Sequence, residues 1–95
     1  MKSAYELAME RLQKSAPSLV LTDEQKAQLA EIDSQFKART AERELFLKGE
    51  IASARARAEF GEAESLEKQL AIDLQRLHAD CEEKKQKLRA SFSAA

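Results

Sequence analysis

The residue types that are scarce in this sequence restrict its fold class. Among 95 residues there are one cysteine, one proline, two glycines and no tryptophan. A lone cysteine, Cys81, cannot form an internal disulfide, so a disulfide-stabilised fold is excluded. β-branched residues are also few, which argues against a sheet. Ala, Glu, Lys, Leu, Arg and Gln dominate instead, and because these residues favour helices, the composition predicts an all-α protein.

An excess of charge of one sign and long apolar runs are both missing. The chain has 16 basic and 17 acidic side chains, for a net charge of −1 at pH 7. Such a balance gives no overall field that would attract nucleic acid or anionic lipid. No apolar run reaches the roughly 18–20 residues of a membrane span, and the first residues lack the apolar core of a signal peptide. We therefore expect a cytoplasmic protein with no membrane partner.

What the sequence does contain is an eleven-residue repeat of apolar and small side chains in two long segments. Its positions follow steps of three, four and four residues. The first segment has Leu29, Ile32, Phe36, Thr40, Arg43, Leu47, Ile51, Ala54 and Ala58, and the second has Ala63, Leu66, Leu70, Leu74, Leu77, Cys81, Lys85, Leu88 and Phe92. Eleven residues in three turns is about 3.67 residues per turn, which predicts a near-straight coiled coil. Since only the region around Gly61 separates the segments, the pattern predicts a long antiparallel helical hairpin.

The ends of the helices are predicted from capping residues. Ser3 with Glu6, and Thr22 with Gln25, have the spacing of capping boxes. Gly61 is expected to take the left-handed conformation that ends a helix. Residues 1–95 should therefore form one helical domain, with helix 1 over about 4–16, a connector over 17–22, helix 2 over about 23–59, a turn at 60–61 and helix 3 over about 62–90.

A turn at 60–61 also predicts which residues face each other across the hairpin. In this register the apolar seams coincide and most facing charges are opposite, although each exposed ion pair adds only ~0–1 kcal/mol. The expected neighbours are Leu47 with Leu74, Thr40 with Cys81, Lys48 with Asp73, Arg43 with Asp80, and Asp33 with Arg89.

The candidates for chemistry are weak. His78, Cys81 and Glu82 fall within one helical turn, as metal ligands could, but the chain has no second histidine or cysteine to complete a site. His78 could act as a base for a Cys81 nucleophile, yet a two-helix seam offers no pocket. We find no Gly-rich phosphate loop. The expectation is a protein that is not an enzyme, with no catalytic, cofactor-binding or metal-binding residues.

Apolar residues that point away from the seam suggest a role in binding. Leu45 and Ile72 lie roughly 200° from the seam positions Leu47 and Leu70 in helical projection. Together with Ala52 they form the predicted interaction surface. A single hairpin cannot cover them, so we expect a homodimer. The functional hypothesis is a protein–protein interaction or scaffold module whose protein partner is unknown.

A second hypothesis assigns the function to the basic end of helix 3. Lys84, Lys85, Lys87 and Arg89 could contact phosphates in a nucleic-acid-associated protein. Glu82 and Glu83 adjoin this stretch, and no aromatic residue is interleaved for base stacking. Dipole-matched charge at a helix end explains the lysines equally well. Nucleic acid is therefore the less favoured partner.

Overall fold

Two long helices form the body of the protein. The computed structural model describes residues 3–8 and 20–93. Helix α1 covers residues 4–8, α2 runs from Asp23 to Ala56, and α3 runs from Phe60 to Ser93. Helices α2 and α3 have 34 residues each, which makes each about 51 Å long, and they pack against each other as a hairpin. The predicted all-α hairpin with a short N-terminal helix is confirmed, while the later part of predicted helix 1 lies outside the described residues.

The predicted helix starts are formed by side chains that cap backbone N–H groups. The Thr22 hydroxyl accepts a hydrogen bond from the Gln25 amide at 3.1 Å, and the Gln25 side-chain oxygen accepts one from the Thr22 amide at 3.0 Å. This reciprocal pair is the predicted capping box of α2. At α1 the Ser3 hydroxyl accepts a hydrogen bond from the Glu6 amide at 3.2 Å. Helices α1 and α2 therefore begin where their capping residues indicate.

The turn between α2 and α3 lies earlier in the chain than the sequence suggested. Helix α2 ends at Ala56, and Ala58 adopts the left-handed conformation with a φ of 58°. The Glu59 amide donates to the Ala54 carbonyl at 2.9 Å, and the Ala58 amide donates to the Arg55 carbonyl at 3.0 Å. These two bonds form a Schellman motif.

The prediction that Gly61 ends the helix was therefore wrong. Gly61 lies inside α3, and no glycine in residues 3–8 and 20–93 has a positive φ. A left-handed alanine costs roughly 1–2 kcal/mol. The two hydrogen bonds to carbonyl groups and the packing of Ala54 against Ala63 next to the turn offset that cost. These stabilising contacts cannot be predicted from the preference of glycine for the left-handed conformation.

The earlier turn changes which residues face each other by about one helical turn. Arg43 lines one groove with Asp80 but forms its ion pair with Asp73 at 2.6 Å. Asp33 forms its ion pair with Lys85 at 2.9 Å, in the place predicted for Arg89. The predicted pairing of Lys48 with Asp73 is also wrong, because Asp73 is bound by Arg43 and Lys48 pairs with Glu44 on its own helix at 3.7 Å. The hairpin is thus formed in a shifted register.

The core is thin and follows the eleven-residue repeat. Near the turn, Ile51, Ala54 and Ala63 form a buried cluster against which Leu66 and Leu70 pack. The small Ala54 and Ala63 side chains let the two helices approach closely there. All buried hydrophobic residues in the described ranges occupy positions of the predicted repeat: Leu29, Phe36, Leu47, Ile51, Ala54, Ala63 and Cys81. The repeat therefore predicted the buried face correctly even though the register was shifted.

Candidate interaction surface

The surface of α2 that points away from α3 is exposed along its whole length. We call it the outer face of α2. Its members recur at steps of three or four residues, which keeps them on one side of a helix. They are Ala27, Glu31, Ser34, Ala38, Ala41, Leu45, Gly49, Ala52 and Ala56, all solvent-exposed. Leu45, with 79% of its surface exposed, is the one large apolar side chain among small neighbours.

The structure separates the three residues of the predicted interaction surface. Leu45 and Ala52 share the outer face of α2. Ile72 is 49% exposed, and it lies on the side of α3 that points away from α2. Because the outer faces of two packed helices point in opposite directions, Ile72 does not continue the surface that Leu45 begins. Its neighbours one turn away, Lys68 and Gln75, are polar and exposed, so α2 presents the longer apolar face.

Two exposed aromatic side chains were missed by the sequence reasoning. Phe46 is 58% exposed and Phe60 is 67% exposed. The Arg43 guanidinium lies 5.9 Å from the centre of the Phe46 ring, within the range of a cation–π contact. A signal for Phe46 exists in the sequence, since only one residue of Leu45, Phe46 and Leu47 can face the seam of a helix. Phe46 therefore adds apolar surface beside Leu45.

Ion pairs along the edges of the seam hold the observed register. Arg43 binds Asp73, which also accepts a hydrogen bond from the Gln69 side chain at 2.7 Å. The hydrogen bond from Arg43, followed by that from Gln69, lowers the pKa of Asp73 below its ordinary value. Arg55 and Glu67 form a further cross-helix pair closer to the turn. These charged side chains are paired with each other within the hairpin. Among the residues of the outer face of α2, Glu31 is the one charged side chain.

The side chains considered for thiol or metal chemistry lie in a polar part of the seam. Cys81 is buried, and its thiol donates to the Asp33 carboxylate at 3.6 Å. Burial and then the Asp33 hydrogen bond raise the pKa of the Cys81 thiol, which makes it a poor nucleophile. Exposed His78 lines the same shallow groove as Thr40 and Cys81. Within residues 3–8 and 20–93, no three His, Cys, Asp or Glu side chains are grouped as metal ligands.

The basic end of α3 carries lysines that contact groups of the same chain. Lys85 lies 2.9 Å from both Asp33 and Glu82. The Lys87 ammonium is 3.1 Å from Glu83. These carboxylates reduce the positive charge that the end of α3 could offer to phosphates, and this weakens the nucleic-acid hypothesis.

Comparison with known proteins adds no relative. No family model, no curated protein and no solved structure matches this chain. In the part of the chain that the structure describes, no helix is both long and apolar enough to cross a membrane. The fold and its exposed faces define the class as a helical hairpin with an apolar outer face, and any functional argument depends on that geometry.

Proposed function

We propose that this chain is a non-enzymatic protein–protein interaction or scaffold module that binds through the outer face of α2. The observation that carries the proposal is the exposure of Leu45, 79% of whose surface is accessible, at the centre of a face of small residues. A single exposed leucine would need no explanation. Here it belongs to an almost uncharged strip that follows the helix for about 44 Å, and a strip of that length is suited to binding.

The shape of this face favours a helical partner. Small side chains such as Ala38, Ala41 and Ala52 allow the backbone of another helix to approach closely, and the ridge at Leu45 fits a groove between side chains of the partner. The pairing of α2 with α3 fixes the hairpin, so little conformational entropy has to be lost when the face binds. Apolar burial then drives binding.

A pair of matched variants tests this function. The tagged chain, its Leu45→Glu variant and its Ile72→Glu variant would be incubated with an extract of the source cells and, separately, with untagged chain. We expect the species retained by the wild type to be retained by Ile72→Glu and lost with Leu45→Glu, because only Leu45 lies on the outer face of α2. Equal retention by both variants would contradict the proposal. Steeply salt-dependent retention of nucleic acid by all three proteins would favour the alternative function.

A further inference from the structure

We infer that the hairpin is a two-state element with a second register, in which α3 is displaced by one helical turn along α2. In the structure Ala58 ends α2, whereas in the second register α2 continues and Gly61 ends it. The displacement is about 5.4 Å, the pitch of an α-helix. Movement of one packed element past another by one turn is a known way for proteins to change state. This inference concerns the contact between α2 and α3 and does not depend on the proposed function.

The turn of the observed register places two residues in unfavourable conformations. Ala58 has a φ of 58°, which is unfavourable for a residue with a Cβ and is readily adopted by glycine. Gly61, three residues later, lies in the first turn of α3, and glycine within a helix is less favourable than alanine. In the second register Ala58 would be helical and Gly61 would be left-handed. Local conformational preference at both positions therefore favours the second register.

The packing of the seam does not exclude the displacement. Both seams follow the same eleven-residue repeat, so moving α3 by one seam position still brings seam residues together. Ala54 meets Ala63 in the structure, and Ala58 would meet Ala63 after the displacement. The seam leucines of α3 are only half-buried, so they do not interdigitate tightly enough to lock one register. They are Leu66, Leu70, Leu74, Leu77 and Leu88.

The ion pair of Arg43 has a replacement within reach. The Arg43 guanidinium lies 2.6 Å from Asp73, and it lines the same groove as Asp80. The displacement would move Asp73 away from Arg43 and bring Asp80 closer. Asp73 would keep the hydrogen bond that it accepts from Gln69 of its own helix at 2.7 Å. Neither charge would therefore lose all its partners.

The ion pair near the open end of the hairpin can be exchanged in the same way. Asp33 is bound by Lys85 at 2.9 Å, and Arg89 follows Lys85 by one helical turn. The displacement would bring Arg89 to Asp33. Lys85 would keep its contact with Glu82 on its own helix at 2.9 Å. The charges at the two ends of the seam therefore permit both registers.

The native Cys81 can report which register is present. Counting from the contact of Ala54 with Ala63, Phe36 faces Cys81 in the observed register and Thr40 lies one helical turn further along α2. In the second register Thr40 would face Cys81 directly. A disulfide requires Cα atoms within about 7 Å. The variant Thr40→Cys should therefore form a disulfide with Cys81 when the hairpin is in its second register.

The test measures the rate of this disulfide in dilute, mildly oxidised protein. Moving the glycine, with Ala58→Gly and Gly61→Ala together, keeps the composition and favours the observed register. A Cβ at residue 61 meets nothing within 4 Å there, so the exchange leaves the observed packing intact. It should slow the disulfide by at least about tenfold, because the second register would now need a left-handed alanine. Ala58→Val should speed it, since a β-branched residue resists the left-handed conformation.

A matched reporter measures the observed register. Thr40→Cys with Leu77→Cys, in a Cys81→Ala background, places two cysteines opposite each other in the structure, and moving the glycine should not slow their linkage. Mass spectrometry confirms that each link lies within one chain, and circular dichroism before oxidation confirms that the helices are formed. Opposite responses of the two reporters would support the second register. A Cys81 reporter that fails to link, or that links at the same rate wherever the glycine lies, would overturn it.

Discussion

The left-handed alanine of the turn gives the sharpest prediction of stability. Ala58 has a φ of 58°, a conformation that costs an L-residue roughly 1–2 kcal/mol. Glycine would remove this cost, but it would lose about 0.4–1 kcal/mol through the greater freedom of the unfolded chain. The hydrogen bonds from the Ala58 and Glu59 amides do not involve the side chain, so they would persist. Ala58→Gly should therefore raise the free energy of unfolding by about 0.5–1 kcal/mol.

A second alanine supplies the control for this experiment. Ala79 is exposed and lies inside α3, where glycine costs about 1 kcal/mol. Urea unfolding followed by circular dichroism would compare the two variants with the wild type at a concentration below self-association. The same chemical change should stabilise the protein at Ala58 and destabilise it at Ala79. If both variants are destabilised by similar amounts, the turn is not where the structure has it.

Three further changes test the core, the helix and the charges. Leu47→Ala should lower the free energy of unfolding by about 2–5 kcal/mol, because Leu47 is only 3% exposed; a loss below about 1 kcal/mol in urea unfolding would contradict its place in the core. Gly49→Ala should raise stability by about 0.5–1 kcal/mol when thermal unfolding is measured on dilute protein, because nothing in the hairpin meets the added Cβ; an unchanged or lower Tm would contradict this. The Asp73 carboxyl, whose pKa is lowered chiefly by the hydrogen bond from Arg43, should contribute stability that is present above the ordinary carboxyl pKa of about 4 and lost as the pH falls below it. Asp73→Asn should therefore weaken the decline in stability between pH 6 and pH 3, and an equally steep decline in this variant would contradict the role of the ion pair.

The hairpin could be predicted because its signal extends over two long segments. The eleven-residue repeat marks the buried face of each helix many times, so single exceptions such as Thr40 or Arg43 do not hide it. The capping box at Thr22 depends only on local hydrogen bonds between Thr22 and Gln25, so it could be predicted equally well. Features of this kind depend on residues that are near each other in sequence.

The position of the turn and the register of the hairpin could not be predicted in the same way. Gly61 is the better residue for a left-handed conformation, but the chain uses Ala58. The choice between them depends on how the helices pack beside the turn, where Ala54 meets Ala63. Shifting the register by a whole helical turn keeps both apolar seams in contact, so the repeat alone cannot distinguish the two registers.

The candidate surface was predicted in part. Leu45 and Ala52 were identified by their angle from the seam, which is a property of one helix. Whether Ile72 joins them depends on the relative position of two helices, and the hairpin places it on the opposite side. Phe46 was missed because it falls outside the repeat. Exposed apolar residues do not belong to the repeat that marks the buried seam. They can be identified only after the residues of the seam are known.

The central claim is that the outer face of α2 binds another protein surface, and nuclear magnetic resonance tests it most directly. Amide spectra of ¹⁵N-labelled wild-type protein would be recorded from about 10 μM to about 1 mM, so that binding of the chain to itself with micromolar affinity would be detected. The account predicts concentration-dependent shifts grouped at Ala38, Ala41, Leu45 and Gly49, with Ile72 and Ala79 unchanged. Shifts grouped instead on the outer face of α3 would contradict it.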